Sequence, residues 1–329
     1  MMKDQFGREI EYLRISVTDR CNLRCRYCMP ETGVMPLQHA EILSYEEMLR
    51  ITAQLSRLGI RKVRVTGGEP LVRIGIVDFV RRLKAVPGIE QVMLTTNGVK
   101  LAELARPLQE AGLDGVNLSL DTLDRLDYAG LTRRDLFSEV WEGLQATLVL
   151  GMPVKLNCVP LAGCNESALP ALAALTKAYA LDVRFIELMP VGCAGMSGLQ
   201  GIPMQQVKER IEAAFGVLLP MPMLDSSAGP AKYYRLPGFA GRIGFIDAME
   251  HKFCASCNRV RLTADGFLKL CLNARAGLDV KALLRTGETD DQMLYECLQQ
   301  AIYQKPQEHF FAYGQQEDKD SRRMYQVGG

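Results

Sequence analysis

Charge of one sign is what this 329-residue sequence lacks: 39 Lys and Arg stand against 38 Asp and Glu, a formal net charge of +1. Without a bulk basic field there is no electrostatic case for nucleic acid or a membrane surface as partner, and any anion site has to be made by local placement of arginines. Long apolar runs are lacking too. No stretch approaches the roughly 18 uninterrupted apolar residues of a spanning helix, and Met1 to Arg8 contains no apolar core of signal-peptide length. The expectation is a cytoplasmic protein whose ten cysteines stay reduced. No P-loop is present, so recognition of a triphosphate would depend on side chains. Histidine is scarce, and surface or core roles suit His39, His251 and His309 better than catalysis.

What is present is a rhythm. Hydrophobic residues make up 48% of the chain, enough to fill a sizeable core. From Tyr12 to Met189 short apolar runs alternate with amphipathic stretches at a repeat of about 25 to 35 residues, the pattern of βα units on a parallel sheet. Strands are expected at Leu13–Val17, Lys62–Thr66, Gln91–Thr95, Gly115–Leu120, Val154–Val159 and Val183–Leu188. Helices are expected at Tyr45–Leu58, Ile76–Val86, Leu101–Ala111, Phe137–Leu150 and Ser167–Tyr179, with a further one at Met204–Phe215. Ser44 followed by Glu47 reads as a capping box, and Gly59, Gly88, Gly112 and Gly151 read as helix stops. Six such units are too few for a closed eight-stranded barrel but enough for a partial one, an α/β fold of TIM type, and a doubly wound sheet satisfies the same rhythm. In both, function belongs at the strand C-termini.

The unusual residues fall there. After the first strand comes Cys21-Asn22-Leu23-Arg24-Cys25-Arg26-Tyr27-Cys28, three thiols in a compact soft-ligand set. No fourth Cys or His follows within ten residues. The metal therefore keeps an open position, which argues for reactivity over structure; a zinc or redox site with a distant fourth ligand is the alternative. After the second strand comes Thr66-Gly67-Gly68-Glu69-Pro70, where paired glycines admit close backbone approach and Glu69 offers a carboxylate to a cation. Thr95-Thr96-Asn97-Gly98 follows the third strand, and Ser119 and Asp121 share one face of the fourth.

The spacing Cys-x-x-x-Cys-x-x-Cys with an aromatic before the last Cys resembles the signature of the radical S-adenosylmethionine (SAM) enzymes. The resemblance implies a [4Fe-4S] cluster on Cys21, Cys25 and Cys28, with SAM chelated by its fourth iron. It implies SAM contacts at Tyr27, at Gly67, Gly68 and Glu69, at Ser119 and at Met189. Between Pro190 and Pro203, Gly192, Gly195, Gly198 and Gly201 recur at every third residue and read as a flexible loop, either a lid or a surface connection. A proline-rich stretch from Pro220 to Pro230 suggests a division into residues 1–220 and a smaller C-terminal part, 221–329.

That second part contains Cys254-Ala255-Ser256-Cys257 and then Cys271, a second triad that Cys297 or His251 would complete as a zinc site and that otherwise leaves an iron open. Cys158, Cys164, Cys193 and Cys297 are scattered and read as small buried hydrophobes. Directly after Cys257, Asn258-Arg259-Val260-Arg261-Leu262 puts two guanidiniums on one strand face, suited to a polyphosphate. Arg14, Arg64, Lys155 and Arg184 lie on strands of the first part, where a cation is costly unless it is paired or faces a ligand. Glu69, Asp121 and Glu187 are the structural partners available.

Two such triads, the Asn-Arg-Val-Arg segment and the terminal Gly328-Gly329 resemble the GTP 3′,8-cyclases of molybdenum cofactor biosynthesis over nearly the whole chain. The resemblance implies two [4Fe-4S] clusters, the second binding the guanine. It implies a 5′-deoxyadenosyl radical that takes hydrogen from C3′ of GTP, and attack of C3′ on C8. GTP contacts are implied for Arg14, Arg64, Thr95, Lys155, Arg259 and Arg261, with the Gly328-Gly329 tail reaching the site. An electron donor of unstated identity, a downstream cyclic pyranopterin monophosphate synthase and a homodimer are family expectations. The competing readings are a radical SAM enzyme with an auxiliary cluster that modifies a peptide, and a zinc-bearing binding module.

Overall fold

The computed structural model of the chain describes residues 2–191, 194, 198–222, 229–249, 251–273, 275–309, 322 and 324–328. Six strands, β1 (Tyr12–Ser16), β2 (Lys62–Thr66), β3 (Gln91–Thr96), β4 (Gly115–Ser119), β5 (Val154–Cys158) and β6 (Asp182–Ile186), are each followed by helix. The helices are α1 (Tyr45–Arg57), α2 (Ile76–Lys84), α3 (Leu101–Glu110), α4 (Arg125–Thr132), α5 (Phe137–Val149) and α6 (Leu169–Ala178). Then come α7 (Met204–Phe215), β7 (Leu219–Pro220), β8 (Lys232–Arg235), β9 (Arg242–Ile246), β10 (Arg259–Leu262), β11 (Phe267–Lys269), β12 (Gly277–Asp279), α8 (Val280–Arg285), α9 (Asp291–Tyr303) and α10 (Met324–Val327).

All six expected strands and the expected helices are present, with ends shifted by one or two residues. At the start of α1 the capping box is made in full: Glu47 N donates to Ser44 Oγ at 3.1 Å and Ser44 N to Glu47 Oε2 at 2.7 Å. Gly59 and Gly112 end their helices at φ of 112° and 90°, conformations an L side chain resists. Helix α4 has no counterpart in the sequence reading. Its buried residues, Tyr128, Leu131 and Thr132, make up only about one turn, and Leu126 is 81% exposed, so the apolar stripe is too short to mark it.

One twelve-stranded sheet orders as β12-β11-β10-β1-β2-β3-β4-β5-β6-β9-β8-β7. From β10 through β1–β6 to β9 the pairing is parallel, and the outer strands are antiparallel. β1 to β6 follow one another without reversal, so there is no doubly wound switch point. Laid flat, β10 and β1 to β6 would spread over about 29 Å at ~4.8 Å per step, yet side chains from all seven line one cavity of about 360 Å³. The sheet is therefore curled into a partial barrel. Alternate residues such as Leu13, Ile15, Val63, Val65, Val92 and Leu94 are fully buried on its convex face, in one core with the apolar faces of the helices.

The strands that follow residue 220 extend this same sheet, β10 pairing with β1 and β9 with β6. Among the described residues no helix is long and apolar enough to cross a membrane.

Candidate functional site

The site begins where β1 ends. The chain runs on beside the end of β2, with Val17 N donating to Thr66 O at 2.9 Å, Gly68 N to Thr18 O at 2.7 Å and Glu69 N to Arg20 O at 2.7 Å. A Cβ on Gly67 would stand 2.7 Å from Thr18 O, and one on Gly68 would collide with the Arg20 carbonyl. The paired glycines thus first admit the segment that leads into the cysteine loop. In that loop Cys21, Cys25 and Cys28 are half-buried and line the cavity. Burial, then Glu69, pushes the Cys21 thiol up to about 11, and burial with Cys28 beside it raises Cys25 well above the ordinary range. Among the described residues no three His, Cys, Asp or Glu side chains are drawn together as a single-ion site. The donor set, three soft thiols sharing one cavity with no fourth Cys or His in their loop, suits a cluster that keeps an open position.

Two buried carboxyls flank the loop. Glu69, 1% exposed, accepts from Leu71 N at 3.0 Å, Thr96 Oγ1 at 2.7 Å and Asn97 N at 2.7 Å. Burial still outweighs these bonds and raises it to about 7. A carboxylate has about four lone-pair sites; three are used, which leaves one for a cation. Asp121 accepts from Tyr27 Oη at 2.7 Å and Val159 N at 2.8 Å, and burial raises it to about 6. Ser119 and Met189 complete this end of the cavity lining.

At the other end the cations are in register. Arg261 of β10, Arg14 of β1 and Arg64 of β2 are Cα partners on adjacent strands, all turned into the lumen. The next row is Arg259, Tyr12 and Lys62, with Lys62 Nζ and Arg64 Cζ each 5.4 Å from the centre of the Tyr12 ring. Burial raises the Tyr12 phenol, but Arg64, Arg14, Lys62 and Arg259 outweigh it and hold the group below its ordinary value. Arg64 and Arg261 are lowered to about 10 by burial and by neighbouring guanidiniums, and Lys155 to about 8 by burial and Arg184.

The structural partners expected for these cations are engaged elsewhere: Glu69 and Asp121 as described, and Glu187 as acceptor from Met249 N at 2.7 Å. Arg184 instead donates to Asn157 Oδ1 at 2.9 and 2.6 Å, and the Asn117 amide, oriented to suit, accepts from both Arg184 and Arg64. Among the described residues Nε of Arg64, Nε of Arg259 and Oγ1 of Thr95 are buried with no hydrogen-bond partner. Orphaned donors in a cationic cavity are the complement of a polyanion.

Cys254, Cys257 and Cys271 line the same cavity. Burial raises the Cys257 thiol, but Lys305 and Arg259 overcome it and bring it below its usual value. Neither expected zinc partner is at hand: Cys297 lies on α9 and His251 pairs with Asp247 at 2.6 Å, and both are away from the cavity lining. Cys158 is core, against the Asp121 carbonyl, and Cys164 lies 3.9 Å from Arg26. The tail arrives through Gly328, at φ 75°, where a Cβ would press on Thr66; its carbonyl accepts from Arg261 Nη1 at 2.6 Å. Gly329, Cys193, Gly192, Gly195 and residues 315–321 and 323 lie outside the described residues.

Sequence reading missed Tyr12, Lys62, Asn117, Asn157 and Lys305 in or beside the cavity. For the first four the signal was there: Tyr12, Lys62 and Asn157 share the strand parity of Arg14, Arg64 and Lys155, and Asn117 that of Ser119.

Residues 15–176 match the Radical SAM superfamily, and residues 181–311 match Molybdenum Cofactor Synthesis C. The chain is 47% identical over 330 residues to the GTP 3′,8-cyclase of Pelotomaculum thermopropionicum and 46% identical over 329 residues to that of Moorella thermoacetica, covering 100% of each chain in both cases. Among solved structures it resembles Streptococcus suis SuiB bound to S-adenosylmethionine, with a TM-score of 0.64 and 13% identity, covering 90% of this chain and 68% of that one. That likeness is one of fold.

Proposed function

The chain belongs to the radical SAM superfamily and, within it, to the GTP 3′,8-cyclases of molybdenum cofactor biosynthesis, and on that premise we propose how its residues share the reaction. The activity is that of a lyase, conversion of GTP to 3′,8-cyclo-7,8-dihydro-GTP. The carrying observation is the in-register row Arg261, Arg14 and Arg64, set between two cysteine triads in one cavity.

Cys21, Cys25 and Cys28 would hold the first four-iron cluster, and Cys254, Cys257 and Cys271 a second. When bound, the first cluster with S-adenosylmethionine supplies the radical chemistry. The residues orient and shield. Glu69 has one acceptor site left for the SAM amino group, with the Gly67 and Gly68 backbone, Tyr27, Ser119 and Met189 placing the rest of that molecule. Arg14, Arg64, Lys155, Arg259 and Arg261 grip the triphosphate and ribose of GTP, and Thr95 offers its unpartnered hydroxyl. Lys62 and Arg184 join them by position. Gly328, whose carbonyl accepts from Arg261, brings the tail to the row of arginines. Fixing the ribose and base so that C3′ and C8 meet is the protein's main contribution, since positioning supplies much of the barrier reduction in a reaction of this kind.

The same reading places the protein in the cytoplasm, divides it near residue 220, pairs it as a homodimer, and gives it an external electron donor and a downstream cyclic pyranopterin monophosphate synthase. A peptide-modifying enzyme is disfavoured, because a row of guanidiniums suits a triphosphate better than a neutral peptide. The test is anaerobic reconstitution with GTP, SAM and reductant. The cyclised nucleotide and 5′-deoxyadenosine should appear in equal amounts; SAM cleavage that leaves GTP intact overturns the assignment.

A further inference from the structure

Two buried cations stand apart from the triphosphate row. Lys305, 2% exposed, follows α9, and its Nζ donates to Arg259 O at 2.9 Å and to Leu270 O. One of these carbonyls lies two residues past Cys257, and the other belongs to the residue before Cys271. Arg8, 9% exposed, comes from the N-terminal segment. Its Nη1 donates to the carbonyl of Cys254 itself at 2.9 Å and to Gln307 O at 2.8 Å, and its Nη2 to Pro306 O at 2.7 Å. Asp4 fixes the guanidinium, accepting from Arg8 Nε at 2.6 Å, and is itself 4% exposed.

Every cysteine of the second triad is thus tied through a carbonyl at or within two residues of it to one of two buried positive charges. The two cations meet through residues 305–307. Asp4 balances the Arg8 charge, but Lys305 is held by two carbonyls; burying a cation in that way is expensive, and a simple turn would not need it. An anionic iron–sulfur centre held by three thiolates would offset that cost. Lys305 also lines the cavity itself.

We propose that Lys305 and Arg8 are positioning residues for a cluster on Cys254, Cys257 and Cys271, bracing the three cysteines and, through the Lys305 charge, making that cluster easier to reduce. The idea rests on the two-cluster reading above. A positive charge in a low-dielectric setting favours the more negative, reduced state, and hydrogen bonding and charge around a cluster are established levers on its potential.

The test uses full-length protein reconstituted anaerobically, with Cys21, Cys25 and Cys28 changed to Ala so that only the second cluster remains. Iron content and a potentiometric titration followed by electron paramagnetic resonance are the readouts. Lys305→Met, which keeps the chain length and removes the charge and donors, should shift the reduction equilibrium at least tenfold toward the oxidised form, about 59 mV for one electron. Lys305→Arg should restore most of it. An unchanged potential in the Met variant overturns the idea. If that variant does not fold, Arg8→Lys decides: it keeps the charge but removes the fork, and iron loss to a chelator should be at least tenfold faster, an unchanged rate being the contrary result. If the starting protein with both triads intact holds about four irons per chain and not eight, the two-cluster reading fails first, and the inference with it.

Discussion

A guanidinium lowered to about 10 is still charged at neutral pH, so Arg64 and Arg261 cannot relieve their mutual repulsion by shedding protons. They need an anion. Charge-assisted hydrogen bonds contribute about 1.5–3 kcal/mol each, so Arg259→Ala or Arg261→Ala should weaken GTP binding about tenfold to a hundredfold while iron content stays unchanged; equal affinity in anaerobic equilibrium dialysis would remove their phosphate role. Carboxyls behave in the opposite sense. Burial raises Glu69 from an ordinary 4.5 to about 7, so between those values the folded protein binds the proton and the unfolded chain does not. Stability of the ligand-free protein should therefore fall as pH rises from about 4.5 through about 7, and Asp121, raised to about 6, adds to the same slope. Glu69→Gln should flatten the Glu69 part. Urea midpoints measured across this range check it, and a variant with the wild-type slope would show that Glu69 does not titrate in the folded state as described.

Elements were legible where their pattern was long and repeated. Short apolar runs recurring at about 25 to 35 residues marked β1 to β6, because parallel strands flanked by helices are buried on both faces and read as near-continuous apolar segments. Arg259–Leu262 was legible from alternation alone. Helix α4 was not, since its exposed Leu126 and a buried face of only Tyr128, Leu131 and Thr132 make too short a stripe. Nor were β7, β11 and β12, two or three residues each, because pairing with a neighbour and not local preference makes them strands. The Gly67-Gly68 pair was singled out for ligand approach, while its immediate neighbour is the Thr18–Arg20 backbone. That gives a sharp expectation at this scale: Gly68→Ala forces the β2 end away from the cysteine loop, costing about 1–3 kcal/mol by overpacking. The variant should unfold at lower urea and lose its first-cluster iron faster; wild-type stability would mean that the loop yields freely.

Across the whole molecule, sequence supplied the residue types but not their meeting. Nothing in the chain states that Cys21 and Cys271 line one cavity, because that depends on β10 returning to pair with β1 after about 240 intervening residues. Lys305 and Arg8 were invisible for the same reason: a lone cation far along the chain has no pattern until its carbonyl partners are placed. The assembled lumen concentrates Arg14, Lys62, Arg64, Lys155, Arg184, Arg259 and Arg261 around one space, in a chain whose net charge is only +1. Such a cluster makes the ligand-free fold store like-charge repulsion that a polyanion relieves. Binding at a hundredfold excess over Kd raises stability by about 2.7 kcal/mol, and the phosphate count should decide how low Kd is. GTP should therefore raise the unfolding temperature of the reconstituted protein well above the shift given by GMP at equal concentration, and salt should narrow the difference only in part, because buried charges are poorly screened. Matching shifts from GMP and GTP would mean that the base alone is recognised and that the cationic row serves some other anion.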